Sequence, residues 1–170
     1  MSGRARRPPQ SETTSVSKQG DEDERVLQPD DFVCFAIYSA GHAFSRVYKP
    51  LLKALGLTYP QYIVMVALWA EDDQTVGALC DRLFLESSTI TPLLKRLQAM
   101  GYVVRNRDPA DERLVRIGLT ETGRAMQAKA RDYPACVDGA TGLAPPALQK
   151  LKTQILEVRR SLIDNAESQD

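Results

Sequence analysis

Two sets of side chains in this 170-residue chain have types and spacings suited to chemistry. The first is a run of short hydroxyls, Ser87, Ser88, Thr89 and Thr91, followed by Pro92 and, one turn on, by Lys95 and Arg96. On a helix this places hydrogen-bonding groups at the amino end, where the backbone favours an anion, and puts two cations within reach of phosphates or a guanine edge. Directly behind it stand Arg105, Arg107, Asp111 and Arg113, spread over two β-like runs and the turn between them. A polar-headed helix followed by a basic hairpin is the layout of a winged helix-turn-helix, with one element for the major groove of duplex DNA and one for the neighbouring minor groove. In that reading Arg113 is the minor-groove finger, Asp111 holds its guanidinium, and Arg105 and Arg107 meet flanking phosphates.

The second set is the cysteines, Cys34, Cys80 and Cys136. Their number is odd, and no C-x-x-C or Cys/His spacing occurs, so neither a metal site nor a cofactor is expected. His42 reads as a helix-face residue and Cys80 as a small buried hydrophobe. No leader-like segment or long apolar run appears, which points away from a membrane and towards a reducing cytoplasm. A cysteine pair there acts as a transient sensor rather than a staple. The 22 basic and 22 acidic residues cancel, but the stretch from Arg82 to Arg116 holds seven basic and four acidic residues, net +3. A local positive field on a neutral protein suits limited phosphate contact rather than indiscriminate coating of DNA.

The elements that must carry these residues follow from periodicity and punctuation. Residues 1–29 are rich in Arg, Pro, Ser, Gln and acids, the composition of a disordered tail. Order is expected over 30–167. Asp30 or Asp31 caps a helix over 31–55, kinked at Pro50 and carrying more than one apolar stripe. Thr58 caps a second helix, whose Ile63, Val66, Ala67 and Ala70 are expected to face inward, with Trp69 close by. A short third helix follows Thr75, and a fourth runs from Ser87–Thr89 to Met100, anchored by Ile90, Leu93, Leu94, Leu97 and Met100 and closed by Gly101. Val103–Arg107 and Leu114–Leu119 read as strands. A fifth helix over 120–138 stops or bends near Pro134, and a sixth over 145–167 repeats Leu148, Leu151, Ile155, Val158 and Leu162 as a pairing seam. The fold expected is mainly α with a small β-wing: a DNA-binding lobe over 58–119, and a homodimer formed by helices 31–55, 120–138 and 145–167.

On these residues the chain resembles the MarR family of dimeric winged-helix regulators, and within it the organic-hydroperoxide-sensing OhrR type. The matching pieces are CFAIYSA at 34–40, YKPLLKALGLTYPQYIVMVALW at 48–69, ITPLLKRL at 90–97 and DERLVRIGLTETGR at 111–124. The resemblance implies a peroxide-reactive thiol at Cys34 and two tyrosines, Tyr48 and Tyr59, whose hydroxyls approach it. It also implies the two-cysteine subgroup, in which Cys136 of the other subunit captures the oxidised Cys34 as a disulfide. The YPACVDG surroundings of Cys136 match the family less closely than the rest.

The expected function is therefore a redox-sensing repressor, not an enzyme. It would bind a pseudo-palindromic duplex as a homodimer and release it when an organic hydroperoxide oxidises Cys34. The alternative is a MarR-type regulator that answers a small aromatic ligand instead. A thiol peroxidase fits poorly, since turnover needs a reductant and no redox motif is present.

Overall fold

The computed structural model describes residues 26–168. The tail expected over 1–29 therefore lies almost wholly outside the described residues. The chain divides between Tyr38 and Ser39 into two units. In the first, Pro29–Asp31 form a 3-10 turn, and Phe32, in extended backbone, accepts the Ala36 N–H and starts α1 (Val33–Lys53). Asp30 and Asp31 thus belong to the turn rather than capping α1, and the helix continues through Pro50.

The second unit is helical with a three-stranded sheet. Its further helices are α2 (Tyr59–Ala70), α3 (Val76–Leu83), α4 (Ser87–Ala99), α5 (Glu121–Ala130), α6 (Tyr133–Ala140) and α7 (Pro145–Glu167). The wing strands are β2 (Val103–Arg107) and β3 (Val115–Leu119), antiparallel with Arg105 opposite Ile117. A strand not foreseen from the sequence, β1 (Gln74–Thr75), pairs with the other edge of β3, giving the order β1-β3-β2. Two residues are too few to show a period, so only pairing with β3 identifies β1.

Local chemistry sets most boundaries. Thr58 and Gln61 form a reciprocal capping box on α2, Thr75 Oγ1 accepts the Ala78 N–H, and Thr120 Oγ1 accepts the Gly123 N–H. Gly101, at φ 74°, takes the left-handed turn after α4 that a side chain would resist. The fifth helix, expected to stop or bend near Pro134, stops, and a separate helix follows it. Pro134 lacks an N–H and its ring would meet the carbonyl of Ala130, so α5 ends there and α6 restarts with Pro134 in its first turn.

The core is built by Leu52, Val64, Met65, Leu68, Leu79, Ile90, Leu94, Leu97, Val103 and Ile117, all essentially enclosed. On α4 the expected anchors Ile90, Leu94 and Leu97 are buried, Leu93 is half-buried and Met100 is exposed. The inward face of α2 differs from the expected one. Tyr62, Val64, Met65, Ala67 and Leu68 are buried, while Val66 and Ala70 are exposed. That helix is apolar nearly all round, so its own period does not choose a face; contact with α3, α4 and α5 does.

Candidate functional site

The amino end of α4 carries the hydroxyl cluster. Glu86 occupies the cap position and makes no side-chain cap bond, so the hydroxyls of Ser87, Ser88 and Thr89 are not used up as caps. All three residues are exposed, with Thr91 half-buried and Pro92, Lys95 and Arg96 exposed. Pro92 sits in the second turn and removes the N–H that would bond the Ser88 carbonyl, which leaves that exposed end of the helix more polar. Ser87 Oγ lies 3.7 Å from Cys80 Sγ on α3.

In the wing the guanidinium of Arg113 makes a two-armed pair with Asp111, Nε to Oδ1 at 2.9 Å and Nη2 to Oδ2 at 2.8 Å, while its side chain stays 89% exposed. The pairing keeps the Asp111 carboxyl below its ordinary range. A cation that is pre-oriented yet open to solvent can enter a groove with little further ordering. Arg107 is exposed and donates from Nη1 to the Glu112 carbonyl at 2.6 Å. Arg105, expected to meet a flanking phosphate, is less open than Arg107. It faces Ile117 across the strand pair, is half-buried, and its Nε is enclosed without a hydrogen-bond partner.

Two carboxylates that the sequence reading did not single out tie this lobe together. Asp72 Oδ1 accepts the N–H groups of Leu119 and Asp73, and its Oδ2 meets Arg124 at 2.6 Å. Burial would raise the Asp72 carboxyl, but these donors outweigh it and leave it low. Asp108 caps the wing turn by accepting the N–H groups of Ala110 and Asp111. The DPADE turn itself carried that signal, since an Asp commonly bonds the backbone two residues on.

The candidate redox residues fall in both units. Cys34, in the first, is the second residue of α1 and carries an exposed, free thiol. Tyr48, Tyr59 and Cys136 belong to the second. The Tyr48 and Tyr59 rings lie 4.9 Å apart, and Tyr48 also packs on Tyr62 at 5.5 Å. Burial, then the neighbouring Tyr62, Tyr59 and Asp138, push the Tyr48 hydroxyl up to about 12, and burial raises Tyr59 as well. Both therefore remain hydrogen-bond donors throughout the neutral range. Cys136, on α6, is exposed and free; Cys80 is half-buried. Among the described residues no group of three or more His, Cys, Asp or Glu side chains gathers as metal ligands, and no helix is long and apolar enough to cross a membrane.

Comparison with known proteins adds the lineage. Residues 46–129 match the family model described as transcriptional regulator SarA/Rot. The chain is 45% identical over 153 residues to the HTH-type transcriptional regulator TtmR of Methylorubrum extorquens, covering 90% of this chain and 72% of that one. It is 37% identical over 136 residues to the organic hydroperoxide resistance transcriptional regulator of Bacillus subtilis, covering 80% of this chain and 92% of that protein. Among solved structures it resembles AbfR of Staphylococcus epidermidis, with a TM-score of 0.68 and 32% identity over 79% of this chain and 93% of that one. AbfR has also been solved reduced on DNA, overoxidised on DNA, and with a disulfide formed. The first two of these relatives are transcriptional regulators, and the family match takes in α4 and the wing but neither Cys34 nor Cys136. The chain belongs to the winged-helix transcriptional regulators of the MarR/SarA type.

Proposed function

We propose that the protein is an OhrR-type, two-cysteine redox repressor of the cytoplasm. As a homodimer it holds a pseudo-palindromic duplex through Ser87, Ser88, Thr89, Thr91, Pro92, Lys95 and Arg96 of α4 and through the wing, with Asp111 orienting Arg113 and Arg107 on a phosphate. Arg105 is assigned to a flanking phosphate beside it. The observation that carries the redox part is an exposed, free Cys34 thiol in the first turn of a helix, open to a peroxide from solvent. Likeness to an organic hydroperoxide regulator over nearly all of that protein's length supports it.

The chemistry balances without a cofactor. The Cys34 thiolate attacks the terminal oxygen of an organic hydroperoxide; an S–O bond forms and the O–O bond breaks. Sulfur is oxidised by two electrons, and the peroxide leaves as the alcohol after taking a proton. In this reading the Tyr48 and Tyr59 hydroxyls donate hydrogen bonds to the sulfur and its oxygen. Attack by Cys136 of the other subunit on the sulfenic acid then forms a disulfide and releases water. The exposed apolar residues Leu151, Ile155, Val158 and Leu162 along α7 support the dimer in which that exchange takes place.

The test is non-reducing electrophoresis before and after a stoichiometric dose of cumene hydroperoxide, with DNA binding read on the same samples. The expected result is a disulfide-linked dimer that appears as binding is lost, and a Cys34→Ser variant that binds DNA but ignores peroxide. Release by Cys34→Ser equal to the parent would overturn the reading. A second reading, release by a small aromatic ligand, is favoured by an open cavity of about 510 Å³ lined in part by Tyr62, Trp69, Arg124 and Arg131. Release by an aryl carboxylate with all thiols reduced would select it.

A further inference from the structure

Not all the cations of the wing face outward. Arg116, on β3, is half-buried and grips two carboxylates from different parts of the chain. Its Nε reaches Asp73 Oδ2 at 2.9 Å and its Nη1 reaches Asp108 Oδ2 at 3.0 Å, while Nη2 donates to the Asp73 carbonyl. Asp73 stands on the loop between α2 and β1 with φ at 55°, a backbone state that residues with a Cβ seldom adopt. Asp108 begins the wing turn. Its Oδ1 accepts the Ala110 and Asp111 N–H groups at 2.8 and 3.2 Å, and Asp111 in turn holds Arg113. A continuous series of polar contacts thus runs from the body of the lobe to the wing finger.

We propose that Arg116 is a positioning residue of the wing: it fixes the wing turn to the α2–β1 loop and so sets where Arg113 points, without touching DNA itself. The inference rests on the reading of the wing as a DNA-contacting element. All three guanidinium nitrogens of Arg116 are already engaged, which leaves little for a phosphate. An isolated surface ion pair does little, because two long side chains must be ordered for one contact. Here one planar fork serves two carboxylates, and the Asp108 side chain is only 12% exposed. Lysine, a single point charge, does not reproduce that geometry. The Asp108 carboxyl is held below its ordinary range by the Ala110 N–H, then by Arg116 and the Asp111 N–H, so it stays charged at neutral pH.

The test uses the full chain in two measurements. Without DNA, Arg116→Gln should speed hydrogen exchange of the Ala110 and Asp111 amides at least tenfold, on the order expected when a local tether is lost, and leave the α2 amides unchanged. Unaltered protection of those two amides overturns the proposal. With a duplex selected by the full chain from a randomised library, Arg116→Gln and Arg116→Lys should both weaken binding about tenfold, the scale of one specific contact. In an Arg113→Ala background the same changes should cost less than about twofold more, because the finger they position is gone. Additive losses, or a Lys variant that binds like the parent, would make Arg116 a contact in its own right and overturn the proposal. Asp73→Asn reads the same linkage from its other end if Arg116→Gln does not fold. Failure of the parent chain to select any duplex would instead strike the DNA reading, and the exchange measurement would still decide the tether.

Discussion

The lobe from α2 to α5 and the last helix, α7, are both rich in apolar residues, but they use them differently. The lobe encloses Leu68, Leu79, Ile90, Leu94, Leu97 and Ile117 almost completely within one chain. The twenty-three residues of α7 include none that is buried, and Leu151, Ile155, Leu156, Val158 and Leu162 face solvent. The difference teaches that the lobe is a finished fold, whereas α7 leaves its apolar residues uncovered. In the proposed dimer a second copy covers it. Under the proposed function, such a division would separate the residues that keep the reading head rigid from those through which a signal at the subunit junction changes the spacing of two reading heads.

The comparison breaks most directly at the core. Leu94→Ala should cost about 2–5 kcal/mol, the range for emptying a closed site, seen as a lower urea midpoint at every protein concentration. A loss that disappears at high concentration would mean that the lobe depends on its partner after all.

Next in size is Gly123→Ala. A Cβ there would collide with the Tyr102 backbone carbonyl, and the Gly123 carbonyl accepts the Trp69 indole N–H at 2.8 Å. Backbone cannot give way as a side chain can, so about 1–3 kcal/mol of stability should be lost, measured by the same unfolding curves. An unchanged midpoint would show that α5 slides freely over β2.

A smaller effect comes from alkali. The folded Tyr48 hydroxyl titrates near 12 against an ordinary value of 10, so its favourable contribution is complete below pH 10 and is lost as pH rises through 12. Stability should therefore decline over that window, and Tyr48→Phe should flatten the decline; an equal slope in the variant would assign it to other groups.

The smallest change in folding is expected on α7, and it sharpens the comparison most. Ile155→Asp with Leu162→Asp should alter lobe unfolding by less than about 0.5 kcal/mol, as exposed substitutions do. The same pair should turn a dimer into a monomer in sedimentation and weaken duplex binding. Dimers that persist would remove α7 from the proposed contact.

Legibility tracked the range of the interaction. The amphipathic pattern of α4, the hairpin and the cap at Thr58 are written within a few residues, and local chemistry sufficed to read them. The inward face of α2 was not readable, because Ile63 and Val66 are as apolar as Val64 and Met65. The break between α5 and α6 was half-readable: Pro134 marked it, but a proline alone does not decide whether a helix bends or ends and restarts. At the site, hydroxyls, wing cations and cysteines stood out by type. The enclosed Nε of Arg105 did not, since it results from strand pairing.

What the sequence determined by itself is the inventory and its local order: a polar-headed helix, a charged turn between two strands, and a thiol near the start of a helix. These need only neighbouring residues, whose propensities and hydrogen bonds act before any long-range contact forms. The tertiary structure alone decided which face of α2 is inside, that Gln74 and Thr75 become a strand, and that Arg116 bridges Asp73 and Asp108. Each of those joins segments tens of residues apart. Such a contact becomes favourable only once the core has already brought the segments together, so no local pattern has to announce it.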